Sequence, residues 1–159
     1  ARRRNDGMIT LDLPALSGHE MDVPEGLESA IGQHVVDFRR AVMDMAVLQD
    51  ESAVCGVSPD LDYLRSLEGD GLIITSAGDS CDCVSRYFAP NLGIDEDPVT
   101  GSAHCTIAPY WAEKLGKTSL IARQVSKRGG DVYCELVDDR VLISGHACLY
   151  FKGQLASVE

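Results

Sequence analysis

Positive charge is scarce in this sequence. It has 14 Lys and Arg residues against 25 Asp and Glu, which gives a formal net charge of −11. Nucleic acids and anionic membranes attract basic proteins, so this balance argues against both as partners. Long apolar runs are also missing, since no stretch approaches the roughly 20 residues of a membrane-spanning helix. With no signal-peptide pattern at the N-terminus, we expect a cytoplasmic location.

Metal-binding spacing is missing as well. The sequence has six cysteines, and none of them forms a paired C-x-x-C motif. Zinc is therefore not expected, and we predict neither a metal nor a cofactor. Cys81 and Cys83 would share one face of a strand, so a redox pair is the alternative to ordinary free thiols.

The apolar residues predict strands arranged around one helix. Hydrophobic residues make up 45% of the 159, enough for one domain with a core. Alternating patterns predict strands and helical patterns predict helices. The predicted strands are Met8–Leu13, Arg40–Leu48, Leu72–Thr75, Cys83–Phe88, Leu120–Val125, Val132–Val137 and Val141–Phe151. The predicted helices are Leu27–Gln33, Pro59–Leu67 and Ser102–Leu115. We expect an α+β fold in which a curved mixed or antiparallel sheet wraps around a central buried helix.

The segment before the longest predicted helix carries the chemistry. Pro98 biases Asp97 toward an extended backbone, and the helix would open at Thr100-Gly101-Ser102. The first amides of a helix lack intrahelical partners, so this turn would suit a carboxylate or phosphate. The helix body has no charged residue from Ala103 to Trp111, which predicts that it is buried. The alternative is that Thr100 only caps a core helix and Asp97 is an ordinary loop acid.

Five segments carry a resemblance to a known family. The word Glu96–His104 closely resembles the signature of the phenazine-biosynthesis PhzF-like family, which has the diaminopimelate epimerase fold. Further segments agree with it and extend the resemblance from about Gly7 to Leu155; they are Gly7–Ala15, Asp82–Pro90, Lys127–Gly130 and Val141–Gly145.

The resemblance implies an isomerase lineage. Members are cofactor-independent isomerases with two similar lobes and an active site in the cleft between them. By resemblance, Asp97 is the acid/base carboxylate of the second lobe, and Thr100, Gly101 and Ser102 form the substrate-binding turn. His104 lies within the signature and is counted with the substrate-binding residues, although its position on the first helical turn leaves its role open. Cys105, on the helix body, is expected to be a buried structural thiol.

One basic residue is also a candidate. Arg86 ends a predicted strand just before the motif and could bind a substrate carboxylate. The alternative is an ion pair on the surface.

The first lobe is largely missing from the resemblance. Residues 1–16 resemble a residual strand region of the first lobe, and residues 17–159 the second lobe. We find no counterpart of the family's first-lobe glutamate or of its Gly-His-Ala word. Gly145-His146-Ala147 spells part of that word in the wrong half, where Cys148 and not Thr follows it. We interpret the match as a coincidence and His146 as a strand residue in or near the core.

Two functions follow from this comparison. The first is the second half of an isomerase that transfers a proton at carbon in a small carboxylated metabolite; the isolated chain is then expected to be inactive. The alternative is a noncatalytic structural or binding subunit. The expected partners are a small anionic metabolite and a first lobe or another protein chain, in a homodimer or larger assembly.

Overall fold

Eleven strands form one curved mixed sheet in the computed structural model, which describes residues 1–154. The last five residues of the predicted second lobe lie outside this range. The strands are β1 (Arg2–Arg3), β2 (Ile9–Pro14), β3 (His19–Glu20), β4 (Asp37–Arg40), β5 (Asp44–Val47), β6 (Leu72–Ala77), β7 (Cys83–Ala89), β8 (Ile94–Asp97), β9 (Ser119–Gln124), β10 (Gly130–Val137) and β11 (Arg140–Gly145). The helices are α1 (Leu27–Ile31), α2 (Glu51–Gly56), α3 (Leu61–Ser66) and α4 (His104–Leu115), with a 3₁₀ turn at Pro90–Leu92.

The sheet order is β1-β2-β11-β10-β9-β7-β6-β5-β4-β3, with β8 paired to β7. Strands β5 and β6 are parallel and are joined through α2 and α3, whereas β7 and β9 are parallel and are joined through β8 and α4. Because β6 and β7 are antiparallel, right-handed crossovers place these helices on opposite faces. Each face therefore has its own core, one around α4 and one around α1–α3.

Helix α4 is the central element that the sequence predicts. Eight of its twelve residues are buried, from His104 to Ala112. On one side it packs against β9, β10 and β11. On the other, Trp111 Nε1 donates to Thr75 Oγ1 on β6 at 3.0 Å, and the Tyr110 hydroxyl donates to Asp37 on β4 at 3.0 Å. The sheet thus curves around the helix, which confirms the predicted α+β architecture.

A proline inside α4 ties the helix to the N-terminal part of the chain. Pro109 has no N–H, so it cannot donate to the carbonyl of Cys105 one turn earlier. The amide of Leu16 donates to that carbonyl instead, at 2.8 Å. The Cys105 carbonyl, which Pro109 leaves without a helical donor, therefore fixes the segment after β2 to the middle of the helix.

Two predicted helices begin later than expected. The predicted first turn at Ser102 is a non-helical turn, and α4 starts at His104. Pro59 precedes the helix instead of standing in its first turn, because the Asp60 carboxylate accepts from the amides of Asp62 and Tyr63 and so sets the start of α3.

Two predicted strands differ from the observed ones. The run Arg40–Leu48 breaks into β4 and β5, because the chain turns where the Ala41 amide donates to the carbonyl of Met43. Strand β11 ends at Gly145, so the prediction of a strand to Phe151 is wrong. His146, predicted in or near the core, is exposed.

The predicted boundary at residue 16 does not coincide with a break in the sheet. Strand β2 pairs with β11 over six residues, from Ile9 to Pro14. Residues 9–14 thus complete the same sheet as the later strands. Their origin in a first lobe stays a prediction.

Candidate functional site

The site forms in the loop that joins β8 to α4. Asp97 is the last residue of β8, held by its pairing with Tyr87 on β7. The Thr100 hydroxyl donates to Asp97 Oδ2 in a short hydrogen bond. Asp97 is half-buried and Thr100 is 8% exposed. The loop thus orients the carboxylate through one oxygen, and Oδ1 has no hydrogen-bond partner within residues 1–154.

A glutamine from β9 fixes both ends of this loop. Gln124 is fully buried, and its Oε1 accepts from the Thr100 amide at 2.7 Å. Its Nε2 donates to the Asp97 carbonyl at 2.6 Å and to Thr100 Oγ1 at 3.2 Å. Because Gln124 binds both residues, one rigid side chain sets the distance between the carboxylate and the turn.

The turn before α4 presents free amides. The amides of His104 and Cys105 donate to the carbonyls of Gly101 and Ser102 at 3.0 and 3.1 Å. Within the described residues, the amides of Gly101, Ser102 and Ala103 have no protein acceptor. At the positive end of a twelve-residue helix, these donors suit a carboxylate or phosphate.

The turn is open to a ligand. A Cβ placed on Gly101 would meet only the Leu11 side chain, at 3.8 Å, and Ser102 is exposed. Leu11 and its neighbour Ile9 on β2 are 37% and 39% exposed. An apolar border therefore adjoins the turn that carries the free amides.

Arg86 lies on the other face of the sheet. It shares that face with Val84 and Phe88 in the core around α1–α3. Its guanidinium binds Glu96 through two bonds of 2.7 and 3.0 Å and donates to the Val57 carbonyl at 2.7 Å. These contacts favour the ion pair over the substrate-binding alternative, although the pair is half-buried and not on the surface.

His104 is fully buried beneath the turn. Its Nδ1 lies 2.8 Å from the Thr100 carbonyl. Burial lowers the pKa of the ring, more strongly than the bond to the carbonyl raises it. With no exposed surface, His104 supports the turn from below and does not face an incoming ligand.

The thiols near the core have little reactivity. Burial raises the pKa of Cys105, and it raises the pKa of Cys134 to about 12. Within the described residues, no group of three or more His, Cys, Asp or Glu side chains could hold a metal ion.

Gln124 is the site residue that the sequence analysis missed. The predicted strand Leu120–Val125 contains the signal, because Leu120, Ala122 and Gln124 alternate onto one face. A glutamine in an otherwise apolar inward row indicates a buried amide with specific partners.

Comparison with known proteins places this arrangement in a family. The model of the phenazine biosynthesis-like proteins matches residues 13–153, nearly the whole chain. The chain belongs to the phenazine biosynthesis-like protein family. An uncharacterized isomerase of Pseudomonas aeruginosa is 45% identical over 96% of the chain, and the human phenazine biosynthesis-like domain-containing protein is 35% identical over 99%. The family resemblance inferred from the Asp97 motif is thus confirmed.

Solved structures of the phenazine biosynthesis-like family share the fold. The PhzF family protein of Enterococcus faecalis has a TM-score of 0.90 and 39% identity over 97% of this chain. A putative PhzC/PhzF protein of Clostridium difficile has a TM-score of 0.87 and 39% identity over 97%. These likenesses confirm the predicted diaminopimelate epimerase-like fold.

The match covers only part of each relative. The chain spans 59% of the Pseudomonas aeruginosa isomerase and 60% of the Enterococcus faecalis chain. Among the described residues, no helix has both the length and the apolar character to cross a membrane.

Proposed function

We propose that this chain is the second half of a cofactor-independent isomerase, in which Asp97 transfers a proton at a carbon of a small carboxylated metabolite. The observation that carries the proposal is the junction of a half-buried carboxylate with a turn of free amides. Gln124 holds the two together through Thr100 and Asp97.

Asp97 has the geometry of an acid/base group. The Thr100 hydroxyl occupies Oδ2, so Oδ1 is the oxygen that would accept or return a substrate proton. A positioned acid or base contributes about 10²–10⁴-fold to a rate. Since the carboxylate is only half-buried in this chain, an apposed lobe would complete its enclosure.

The turn supplies the anion site. Amides of Gly101, Ser102 and Ala103 would bind the substrate carboxylate, and the Ser102 hydroxyl would add a further donor. Such donors stabilise negative charge that develops on a carboxylate as a neighbouring carbon loses its proton. Binding and proton transfer thus require the same short segment.

The partners follow from this arrangement. A small anionic metabolite would occupy the turn, and a first lobe or another chain would cover the border formed by Ile9 and Leu11. A homodimer or larger assembly and a cytoplasmic location belong to the same proposal. A first lobe as partner is supported by the share of each relative that the chain spans, and the isomerase activity by the relatives' description as isomerases.

Proton exchange in D2O tests the function. The chain would be assayed alone and joined to the N-terminal part of the 45% identical relative, with a panel of small amino and hydroxy carboxylic acids. We expect the joined protein to exchange a carbon-bound proton for deuterium. Asp97→Asn should lower that rate about 10²–10⁴-fold.

Asp95→Asn is the matched control, because Asp95 is an exposed acid on the same strand. Its exchange rate should equal that of the unaltered protein. Exchange that persists in Asp97→Asn would contradict the catalytic role. Binding of the acids at the turn without exchange would favour the noncatalytic binding subunit.

A further inference from the structure

Two buried side-chain atoms lack a hydrogen-bond partner in the described part of the chain. They are Ser85 Oγ and His104 Nε2. Ser85 is 2% exposed and His104 is 0% exposed, so bulk water does not reach either. Leaving a buried polar atom unpaired costs its full desolvation penalty, and native structures rarely do so. Two such atoms near one site call for a common explanation.

Ser85 stands in the middle of a polar row across the sheet. Its register partners are Thr75 on β6 and Gln124 on β9. Residues opposite one another on neighbouring strands point to the same face. All three therefore face α4, and all three are buried.

Helix α4 contacts both ends of that row. At one end, Gln124 accepts from the amide of Thr100, whose carbonyl lies against His104 Nδ1. At the other end, Thr75 Oγ1 accepts from Trp111 Nε1. His104 and Trp111 are seven residues apart and so lie on nearly the same helix face. Ser85 therefore stands one strand away from the end of the row that adjoins His104.

The hydrogen-bonding capacities of the two atoms are complementary. A carbonyl can only accept, so the bond to Thr100 requires a proton on Nδ1 of His104. A neutral imidazole with that proton leaves Nε2 as a bare acceptor. Ser85 offers a hydroxyl proton that no other group within residues 1–154 accepts. One atom needs a donor and the other needs an acceptor.

We propose that one buried water accepts from the Ser85 hydroxyl and donates to His104 Nε2, and that His104 is thereby a positioning residue for the Asp97 loop. The chain of bonds runs from Ser85 through the water and His104 to the Thr100 carbonyl, while Gln124 holds the Thr100 amide. Both backbone groups of Thr100 are then fixed. The proposed contact rests on the burial and placement of the two unpaired atoms, and its consequence for proton transfer rests on the proposed function.

Nitrogen-15 NMR of the imidazole rings tests the bond in the 159-residue chain without substrate. The resonances of the buried ring are those that disappear from the spectrum of His104→Asn. We expect Nδ1 to carry the proton and Nε2 to show the shift of a hydrogen-bonded acceptor. Ser85→Ala should move Nε2 toward the shift of an unbonded acceptor. A magnetisation-transfer contact between a bound water and the ring should be present, and its absence would overturn the water bridge.

Ser144→Ala is the matched control, because Ser144 is a buried strand serine whose hydroxyl pairs with Thr10 on another part of the sheet. It should leave the His104 resonances unchanged. A proton on Nε2 in the unaltered chain would overturn the proposal, even if Ser85→Ala fails to fold. Equal Nε2 shifts in Ser85→Ala and the unaltered chain would also overturn it.

Hydrogen exchange of the Thr100 amide tests the positioning role. Ser85→Ala should speed its exchange at least tenfold while amides of β10 and β11 keep their protection, and Ser144→Ala should not change it. Unchanged exchange at Thr100 would overturn the positioning role. These measurements need no catalysis, so a failure of the proposed isomerase activity would leave their outcome intact.

Discussion

Replacing Gln124 with methionine should loosen the site and destabilise the fold by a predictable amount. The substitution keeps the length of the side chain and removes all three of its hydrogen bonds. The buried Thr100 amide then has no acceptor, which costs about 1–3 kcal/mol. Asp97 is half-buried, so its carbonyl can bind water instead of Gln124. The free-energy cost of losing that hydrogen bond therefore belongs at the lower end of the range. We expect a total of about 2–4 kcal/mol.

Urea unfolding followed by tryptophan fluorescence measures this loss. The chain has one tryptophan, Trp111, which is 7% exposed on α4 and reports on the core beside the site. With a urea dependence of about 2 kcal/mol per molar, the midpoint should fall by about 1–2 M. Gln49→Met is the matched control on an exposed loop and should stay within about 0.5 kcal/mol. Equal midpoints for the two variants would refute the role of Gln124.

The glutamate variant separates charge from hydrogen bonding. Gln124→Glu keeps an acceptor for the Thr100 amide but places a buried carboxylate against the Asp97 carbonyl. Burial would raise the pKa of this carboxyl above its unfolded value of about 4.3, so its ionisation destabilises the protein at pH 7. The deficit relative to the unaltered chain should therefore shrink as the pH falls. A deficit that grows on acidification would contradict this electrostatic account.

Three further perturbations address other contacts. Because burial lowers the pKa of His104, the folded chain should lose stability below about pH 6.5, by up to about 1.4 kcal/mol per pH unit. In urea titrations from pH 7 to 5, His104→Asn should remove this dependence of the unfolding free energy on pH. Gly130→Ala should cost about 1–3 kcal/mol in thermal unfolding, because its Cβ would lie 2.7 Å from Val99 Cγ2, and Val99→Ala should restore part of the loss. Arg40→Met should cost about 3 kcal/mol in urea unfolding, since it leaves the 3% exposed Asp44 without its partner.

Controls for these variants come from the same chain. Gly145→Ala places a Cβ at an ordinary 3.8 Å contact and should change the melting temperature little. Arg65→Met breaks an ion pair with Asp62, whose side chain is 93% exposed, and should cost less than about 1 kcal/mol. A loss for Arg40→Met as small as that for Arg65→Met would show that Asp44 finds another partner. An unchanged pH slope in His104→Asn would assign the slope to other groups.

The sequence could predict the parts of the site that lie together in the chain. Asp97 and Thr100 are three residues apart, and the local preferences of Pro98 and Gly101 set the loop between them. The apolar stretch after Ala103 likewise predicted the buried helix. Local patterns therefore sufficed for the motif and for the element that carries it.

The remaining parts depend on pairing between distant segments. Gln124 reaches Thr100 only because β9 lies parallel to β7, which no local pattern specifies. Arg86 alternates with Cys83 and Tyr87 on β7, yet the sequence does not say which face α4 covers. The start of α4 also shifted, because the Thr100 hydroxyl binds Asp97 and does not cap the helix. Tertiary contacts thus decided each of these features.

The parallel pairing of β7 with β9 has a consequence for the order of folding. Helix α4 and the Asp97 loop are the connection between these strands, so the loop gains its clamp only when β9 docks beside β7. Closing such a long connection costs entropy before its contacts form, and it is therefore expected late in folding. A nascent chain released before Gln124 emerges would hold every residue of the signature and still lack the site. A formed Asp97 site would therefore indicate that β9 has docked correctly beside β7.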